Sequence, residues 1–222
     1  MARNNVLQWR DGRGWLVLAG GHIPESDVRA QTIGHIDADG GVAYVSFGSN
    51  AESAEILMND MQDLGAPPGY FVDVLSEDDD TIRSKLGEAS LIVVEPSGSS
   101  ADMRSALMGA AVEGMQTAYE NGAVILLEGK SASIFGAWLL LETGEIRQGI
   151  GWLSQMFVLP GVTEVAQSEA GKAALKEEAS ALAVGIGEGS ALALGPDGEV
   201  EPWGEGRVTI ALGRSFTSTA QP

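Results

Sequence analysis

The chain contains no cysteine and only two histidines, His22 and His35. Without cysteine there can be no disulfide, no thiolate nucleophile and no cysteine-ligated metal. With so few imidazoles, a serine nucleophile has little choice of base, because histidine is the usual partner of a reactive hydroxyl. These absences narrow the catalytic chemistry of the chain before any motif is considered.

Basic residues are also scarce, with 13 lysines and arginines against 31 aspartates and glutamates and a formal net charge of -18. Such a surface repels phosphate backbones, so we expect no nucleic-acid partner. The ordinary role of this charge is to keep the protein soluble. A preference for cationic ligands stays open as a second interpretation.

Long apolar runs are missing as well. No run approaches the roughly 18 residues of a membrane-spanning helix, and residues 1–10 lack the apolar core of a signal peptide. The chain has 222 residues, 44% of them hydrophobic, which allows a substantial core. We therefore predict a soluble, cytoplasmic protein with no membrane partner. It should form one domain over residues 1–222, with a frayed tail at about 217–222.

The first two thirds of the sequence alternate between strand and helix patterns. Strands are predicted at 15–19, 42–46, 70–74 and 91–94, and again from residue 124. Helices are predicted at 26–36, at 52–64 with Asn50 as the cap, from Asp78, and at 101–108, 111–119 and 132–141. Such an alternation is typical of a parallel sheet that is covered by helices on both faces.

The last third has a different character. Residues 152–159 are apolar and loop-like, 169–181 predict an alanine-rich helix, and short strands are predicted at 183–186, 191–194, 199–203 and 208–212. We interpret these strands as an antiparallel extension of the same sheet. The predicted fold class is therefore α/β. Ligands bind such sheets at the carboxyl ends of the strands, so the loops at 20–22, 47–50, 95–100 and 129–131 should share one edge.

The segment 124–133, Val-Ile-Leu-Leu-Glu-Gly-Lys-Ser-Ala-Ser, carries the strongest functional signal. It predicts a buried strand, a turn and a helix, with Ser131 at the turn. A serine at that point projects its hydroxyl above the carboxyl end of the sheet, as in a nucleophile elbow. The Gly-Lys-Ser triplet also resembles the end of a phosphate-binding loop, but that motif needs a glycine where Val124 stands.

The loop Gly20-Gly21-His22 follows the first predicted strand. Two glycines allow a ligand or another backbone to come close, so the loop is either a tight turn or a ligand-facing segment. His22 is accordingly either a surface residue or a base near the expected site. His35 lies near the end of a predicted helix, where we expect it to interact with the helix terminus.

Three segments together resemble the serine peptidase family of cyanophycinase and aspartyl dipeptidase (peptidase E), over residues 16–194. The family's elbow, Gly-Thr-Ser-Ala-Gly-Ala, is similar to residues 129–134, with Ser133 in place of the second glycine. Its Leu-Pro-Gly segment matches residues 159–161, but the catalytic histidine that should follow is missing and Gln167 stands in its place. Residues 185–192 match Gly-Ile-x-Glu-x-Thr/Ser-Ala-Leu, where Glu188 corresponds to the triad acid of cyanophycinase.

The resemblance implies a flavodoxin-like sheet, like that of class I amidotransferases, in a bacterial protein that needs no cofactor and no metal. It also implies a homodimer and a serine attack on small peptides or other ligands that contain acidic residues. Ser131 and Glu188 inherit the catalytic roles. The substrate and oxyanion loops would be formed by Gly20, Gly21, Ser97, Gly98, Lys130, Ala132 and Gln167.

The sequence leaves three functions open. In the first, the chain is a serine hydrolase of weak or altered activity in which His22 replaces the missing base; Lys130 is a weaker candidate, because adjacent residues at a turn usually point apart. In the second, it is a catalytically silent relative that binds a ligand or a partner in the old cleft; Pro96 supports this, because a proline supplies no N–H to an oxyanion hole. In the third, the chain serves assembly through an exposed apolar patch of Trp138, Trp152, Met156 and Phe157.

Overall fold

The computed structural model of the chain describes residues 6–37, 39–48 and 51–217. The predicted cap Asn50 and nearly all of the predicted tail lie outside the described residues. The strands, in chain order, are β1 (Trp15–Ala19), β2 (Val42–Ser46), β3 (Gly69–Asp73), β4 (Leu91–Val94), β5 (Val124–Glu128), β6 (Trp138–Leu140), β7 (Ile146–Gln148), β8 (Met156–Pro160), β9 (Leu182–Ile186), β10 (Ser190–Leu194), β11 (Val200–Gly204) and β12 (Val208–Leu212). The helices are α1 (Val28–Gly34), α2 (Ala51–Asp63), α3 (Asp79–Gly87), α4 (Ser100–Leu107), α5 (Ala110–Glu120), α6 (Lys130–Ser133) and α7 (Glu169–Glu177).

The main sheet has seven strands in the order β11-β10-β1-β5-β4-β2-β3. Five neighbouring strands of this sheet, β1, β5, β4, β2 and β3, are parallel to one another. At the β1 edge of these five, β10 pairs antiparallel with β1, and β11 pairs antiparallel with β10. The predicted α/β class, a mostly parallel sheet with a C-terminal antiparallel extension, is therefore confirmed. Strands β1, β2 and β4 begin and end at the predicted residues, because each is a nearly continuous apolar run closed by polar or turn residues.

Helices cover both faces of this sheet. Along β4, Ile92 and Val94 belong to the core cluster that contains side chains of α3 and α5. Leu91 and Val93 belong to the cluster on the opposite face, together with side chains of α1 and α2. All four are fully buried, because successive side chains of a strand point to opposite faces and both faces are covered.

A second sheet holds three strands in the order β12-β9-β8. The prediction that residues 152–159 form a loop is wrong for the second half of this segment, since β8 pairs parallel with β9. The prediction that all four late strands extend the main sheet is wrong for β9 and β12, which belong to the smaller sheet. The apolar run Met-Phe-Val-Leu has no polar alternation because β8 is buried on both faces, and such a run is easily mistaken for a loop or a helix segment.

The helix predicted at 132–141 is much shorter in the structure. α6 ends at Ser133, and β6 then pairs antiparallel with β7 in a small two-stranded sheet. Gly136 lies between α6 and β6, and a side chain there would collide with the carbonyl oxygens of Met156 and Trp138. Only a glycine allows the chain to pass this close to its neighbours, and its low helix propensity agrees with the end of the helix before it.

The predicted exposed apolar patch does not exist. Trp152 is 2% exposed, and Met156 and Phe157 are fully buried. Trp138 is half-buried and stacks on Phe157, with ring centroids 5.6 Å apart. These side chains belong to the core, so the assembly function that was based on the patch loses its support. Within the described part of the chain, no helix has the length and apolar character needed to cross a bilayer.

Candidate functional site

A cleft of about 270 Å³ opens at the carboxyl edge of the main sheet. It confirms that the loops after β1, β4 and β5 meet, as the sequence predicts, while α1 and α2 supply the remaining wall. The lining residues are Gly21, His22, Arg29, Ile56, Leu57, Asp60, Glu95, Pro96, Glu128 and Gly129. Of the loop predicted at 47–50, Phe47 borders a separate cavity of about 20 Å³, and residues 49 and 50 are not described.

The strand-to-helix turn after β5 is made by Gly129. This residue has φ 57° and ψ -129°, a conformation that glycine adopts freely and that is strained for other residues. Its N–H donates to the carbonyl of Ala19 at 3.0 Å, which continues the pairing of β5 with β1. A nucleophile elbow holds its nucleophile at such a strained turn, directly after the strand. In this chain that position has no side chain.

Ser131 lies two residues later, inside α6, so the prediction that it stands at the turn is wrong. Its side chain is fully buried. The hydroxyl oxygen lies 2.7 Å from the carbonyl oxygen of Val94 and 2.9 Å from that of Glu128, and its single hydrogen is shared between these two acceptors. Ser131 therefore ties α6 to the ends of β4 and β5 from within the core. The neighbouring Ala132 is fully buried as well.

The other predicted catalytic residues do not assemble around Ser131. His22 is exposed and lines the cleft. Glu188 is exposed in the turn between β9 and β10, where its Cγ lies 3.6 Å from the place of a Cβ on Gly21. Across the described residues, no hydrogen bond joins Ser131 to His22 or to Glu188. Gln167 is exposed in the loop between β8 and α7, and its N–H donates to the carbonyl of Glu164.

His35 lies at the other end of β1, away from the cleft. It caps α1, with its Nδ1 2.8 Å from the carbonyl oxygen of Gln31, which confirms its predicted role at the helix terminus. Its ring packs between Trp15 and Trp203, with both centroid distances 4.6 Å. His35 is therefore fixed by contacts to α1 and to two tryptophans, outside the cleft.

The first glycine loop combines both of its predicted roles. Gly20 packs against other backbone, because a side chain there would collide with the carbonyl oxygens of Ile186 and Gly187. Its N–H donates to the carbonyl of Ser190 at 3.0 Å. Gly21, with φ 148°, lines the cleft. The first glycine thus permits a tight turn, and the second leaves room at the ligand-facing edge.

The loop after β4 offers few hydrogen-bond donors to the cleft. Pro96 has no N–H, and its ring lies 3.5 Å from the place of a Cβ on Gly129. The N–H of Ser97 donates to Sδ of Met103 at 3.1 Å, so it is already used inside the protein. Ser97 and Gly98 border a different cavity of about 140 Å³. This loop departs from the donor arrangement that an oxyanion hole needs.

The sequence prediction missed a buried ion pair at the base of the cleft. Arg29 donates from Nε and Nη2 to the two carboxylate oxygens of Glu128, at 2.8 and 2.7 Å, and from Nη1 to Asp60 at 3.3 Å. Burial opposes the charge of Arg29, but these hydrogen bonds and carboxylates prevail and raise its pKa. A glutamate that ends the apolar run Val-Ile-Leu-Leu was the available signal, because a buried carboxylate needs a partner.

Comparisons with known proteins give one clear result. No protein-family profile and no curated protein sequence matches the chain. A solved peptidase from an acI-B1 Actinobacterium superposes with a TM-score of 0.70 at 16% identity, over 94% of this chain and 95% of that one. A Listeria monocytogenes protein described as a putative peptidase E superposes with a TM-score of 0.64 at 16% identity, over 86% and 98%. The fold is that of peptidase E. The resemblance drawn from the sequence motifs is thereby confirmed at the level of the fold.

The peptidase E fold of this chain carries a second polar cluster beside α6. Nζ of Lys130 lies 3.2 Å from Glu142, and the same carboxylate oxygen accepts from the N–H and the hydroxyl of Ser100 at 3.3 and 3.0 Å. The backbone N–H of Glu142 itself makes the largest contribution to lowering the pKa of this carboxyl, to about 2; burial opposes it, and Ser100 and Lys130 lower the pKa further. Within the described residues, no three histidine, aspartate or glutamate side chains are grouped as metal ligands.

Replacing Glu142 with glutamine should lower the free energy of unfolding by about 1 kcal/mol at pH 7, since the side chain is half-exposed and its ion pair is screened. The folded-state pKa lies below the ordinary value of 4.5, so the wild-type advantage is complete above that value and is lost as the pH falls towards about 2. Urea unfolding of both proteins across this range measures the difference. Glu55→Gln, at an exposed position of α2, is the control. A difference that does not depend on pH would contradict the prediction.

Proposed function

We propose that this protein is a non-catalytic relative of peptidase E that binds a small ligand in the cleft. The observation that carries the proposal is the glycine at the strained turn. In an active serine enzyme the nucleophile stands at this turn because the sharp bend exposes its side chain above the sheet. Gly129 occupies the turn and borders the cleft, so the cleft receives no hydroxyl from this position.

The backbone suggests a different alignment with the family's elbow. If the family's serine is placed at Gly129, its second glycine falls on Ser131 rather than on Ser133. A small residue is required there, because the position is fully enclosed between α6 and the ends of β4 and β5. In this alignment Ser131 is a packing residue, and no serine of the motif remains to act as the nucleophile.

The surroundings of Ser131 support the same proposal. An attack by its hydroxyl would require α6 to open and both carbonyl contacts to be given up. A base would then have to reach it, yet His22 and Glu188 are both exposed and neither is hydrogen-bonded to Ser131. The alternative of a serine hydrolase with His22 as base has no contact in its favour.

The cleft itself supports a binding function. It is lined by charged side chains around the buried pair of Arg29 and Glu128, and by the apolar side chains of Ile56 and Leu57. Binding sites commonly combine apolar walls with a few convergent polar groups. A volume of about 270 Å³ limits the ligand to a small molecule.

A fluorophosphonate probe tests the loss of catalysis. We expect no covalent labelling of the native protein and no hydrolysis of dipeptides that begin with aspartate, under conditions in which an active serine hydrolase is labelled. Heat-denatured protein gives the background, because an unfolded chain holds no base beside a serine hydroxyl. Stoichiometric modification of the native protein that disappears in Ser131→Ala would overturn the proposal.

A further inference from the structure

We infer that the cleft selects a small organic cation, an alkylammonium or alkylguanidinium group. The inference rests on the proposed binding function of the cleft and adds the chemical class of its ligand. It follows from three features of the lining: an excess of carboxylates, an arginine that is already occupied, and an apolar wall.

Carboxylates outnumber cations in the lining. Asp60, Glu95 and Glu128 face a single guanidinium, that of Arg29. The electrostatic influence of all three carboxylates reaches Arg29, where each one raises its pKa. A cleft lined mainly by one sign of charge concentrates ligands of the opposite sign. The lining therefore favours a cationic ligand over an anionic one.

Arg29 is poorly placed to receive an anion. Its side chain is only 6% exposed, and its Nε and Nη2 both donate to Glu128 in a two-pronged pair. Its Nη1 donates to Asp60. An incoming carboxylate would have to approach a nearly enclosed guanidinium and lie beside the two negative charges that already pair with it, which is costly. Arg29 therefore has a structural role, because it pairs with carboxylates of the protein and not with a ligand.

Asp60 is the residue best placed to meet a ligand. Its side chain is 50% exposed, in contrast to the 4% of Glu128, so its carboxylate faces both Arg29 and the open cleft. The neighbouring Ile56 is 57% exposed on the same helix and gives the mouth of the cleft an apolar wall. A cationic head at Asp60 with a short aliphatic body along Ile56 satisfies both surfaces.

Charged cysteine reagents test the sign of the cleft, because the natural chain has no cysteine of its own. In His22→Cys, a cationic trimethylammonium-ethyl methanethiosulfonate should react faster than the anionic sulfonatoethyl reagent. The ratio of the two rates should exceed that of Ser105→Cys, on the exposed side of α4, by about fivefold, which corresponds to one ion pair with a half-exposed carboxylate. Ser105→Cys also corrects for the net charge of the whole protein.

Asp60→Asn in the His22→Cys background should remove most of this excess, whereas Asp63→Asn, on an exposed side of the same helix, should leave it unchanged. Added n-butylguanidinium should slow the labelling of the thiol in His22→Cys, and butyrate should not. Gly129→Cys provides a second reporter inside the cleft. A rate ratio equal to that of the Ser105→Cys reference, or equal protection by butyrate, would overturn the inference. Neither result would contradict the proposed loss of catalysis. That proposal is contradicted only if the fluorophosphonate modifies Ser131.

Discussion

Iodoacetamide should alkylate Gly129→Cys at least about 100-fold faster than Ser131→Cys in the native protein. The first thiol would border the cleft, whereas the second would be enclosed under α6. A fully buried thiol reacts only when its segment opens, and an opening free energy of about 3 kcal/mol or more slows the reaction by this factor. The rates can be followed by mass spectrometry without background, because the chain contains no other cysteine.

Two controls keep this result interpretable. Ser131→Cys must react fully in denaturant, which shows that the thiol is intact. Gly129→Cys carries a side chain at a positive φ and should lose about 1–3 kcal/mol of stability, so its fold has to be checked by circular dichroism. If it does not fold, His22→Cys takes its place as the exposed reporter. Equal rates in two folded variants would show that Ser131 is accessible, and the proposed structural role would be abandoned.

Replacement of Arg29 by leucine should lower the free energy of unfolding by about 3–5 kcal/mol, because Glu128 would remain buried without a partner. The double variant Arg29→Leu/Glu128→Leu should recover most of this loss, since exchanging a buried ion pair for apolar side chains is often neutral. Denaturant unfolding at pH 7 measures both effects. The pair is well suited to the test, because its side chains are only 6% and 4% exposed.

Arg83→Leu is the matched control for this prediction. Arg83 forms ion pairs with Asp79, Asp80 and Glu113, but it is 39% exposed and these pairs are screened by water. Its replacement should therefore lower the free energy of unfolding far less than the replacement of Arg29 does. A loss at Arg29 no greater than that at Arg83 would show that the buried pair has little influence on stability.

The main sheet could be predicted from the sequence because burial on both faces leaves a strong local signal. The run Leu-Ile-Val-Val of β4 is apolar throughout, and its limits are visible in the sequence alone. The same logic failed for β8, whose run of equal character was interpreted as a loop. An apolar run indicates that a segment is buried, but the strand that pairs with β8 is β9, which follows only after α7, and the sequence does not reveal that pairing.

The site was predicted less well than the fold, because the sequence placed the turn at Ser131 and the turn lies at Gly129. The triplet Gly-Lys-Ser at 129–131 matched the Gly-Thr-Ser of the family's elbow and so suggested Ser131 as the nucleophile, whereas the backbone bends at Gly129. The residue types suggested a nucleophile at Ser131, but the position of the turn is visible only in the backbone dihedral angles of Gly129. The ion pair of Arg29 and Glu128 was missed because it joins residues 99 positions apart.

Glu128 has one further consequence for the molecule. Its carboxylate holds Arg29 at the base of the cleft, while its main-chain carbonyl accepts the hydroxyl of Ser131 below α6. Because one residue makes both contacts, we expect a molecule that draws the carboxylate away from Arg29 to shift the main chain to which α6 is bonded as well. Binding of a ligand at the mouth of the cleft would then be measured as a change in the amide hydrogen exchange of α6.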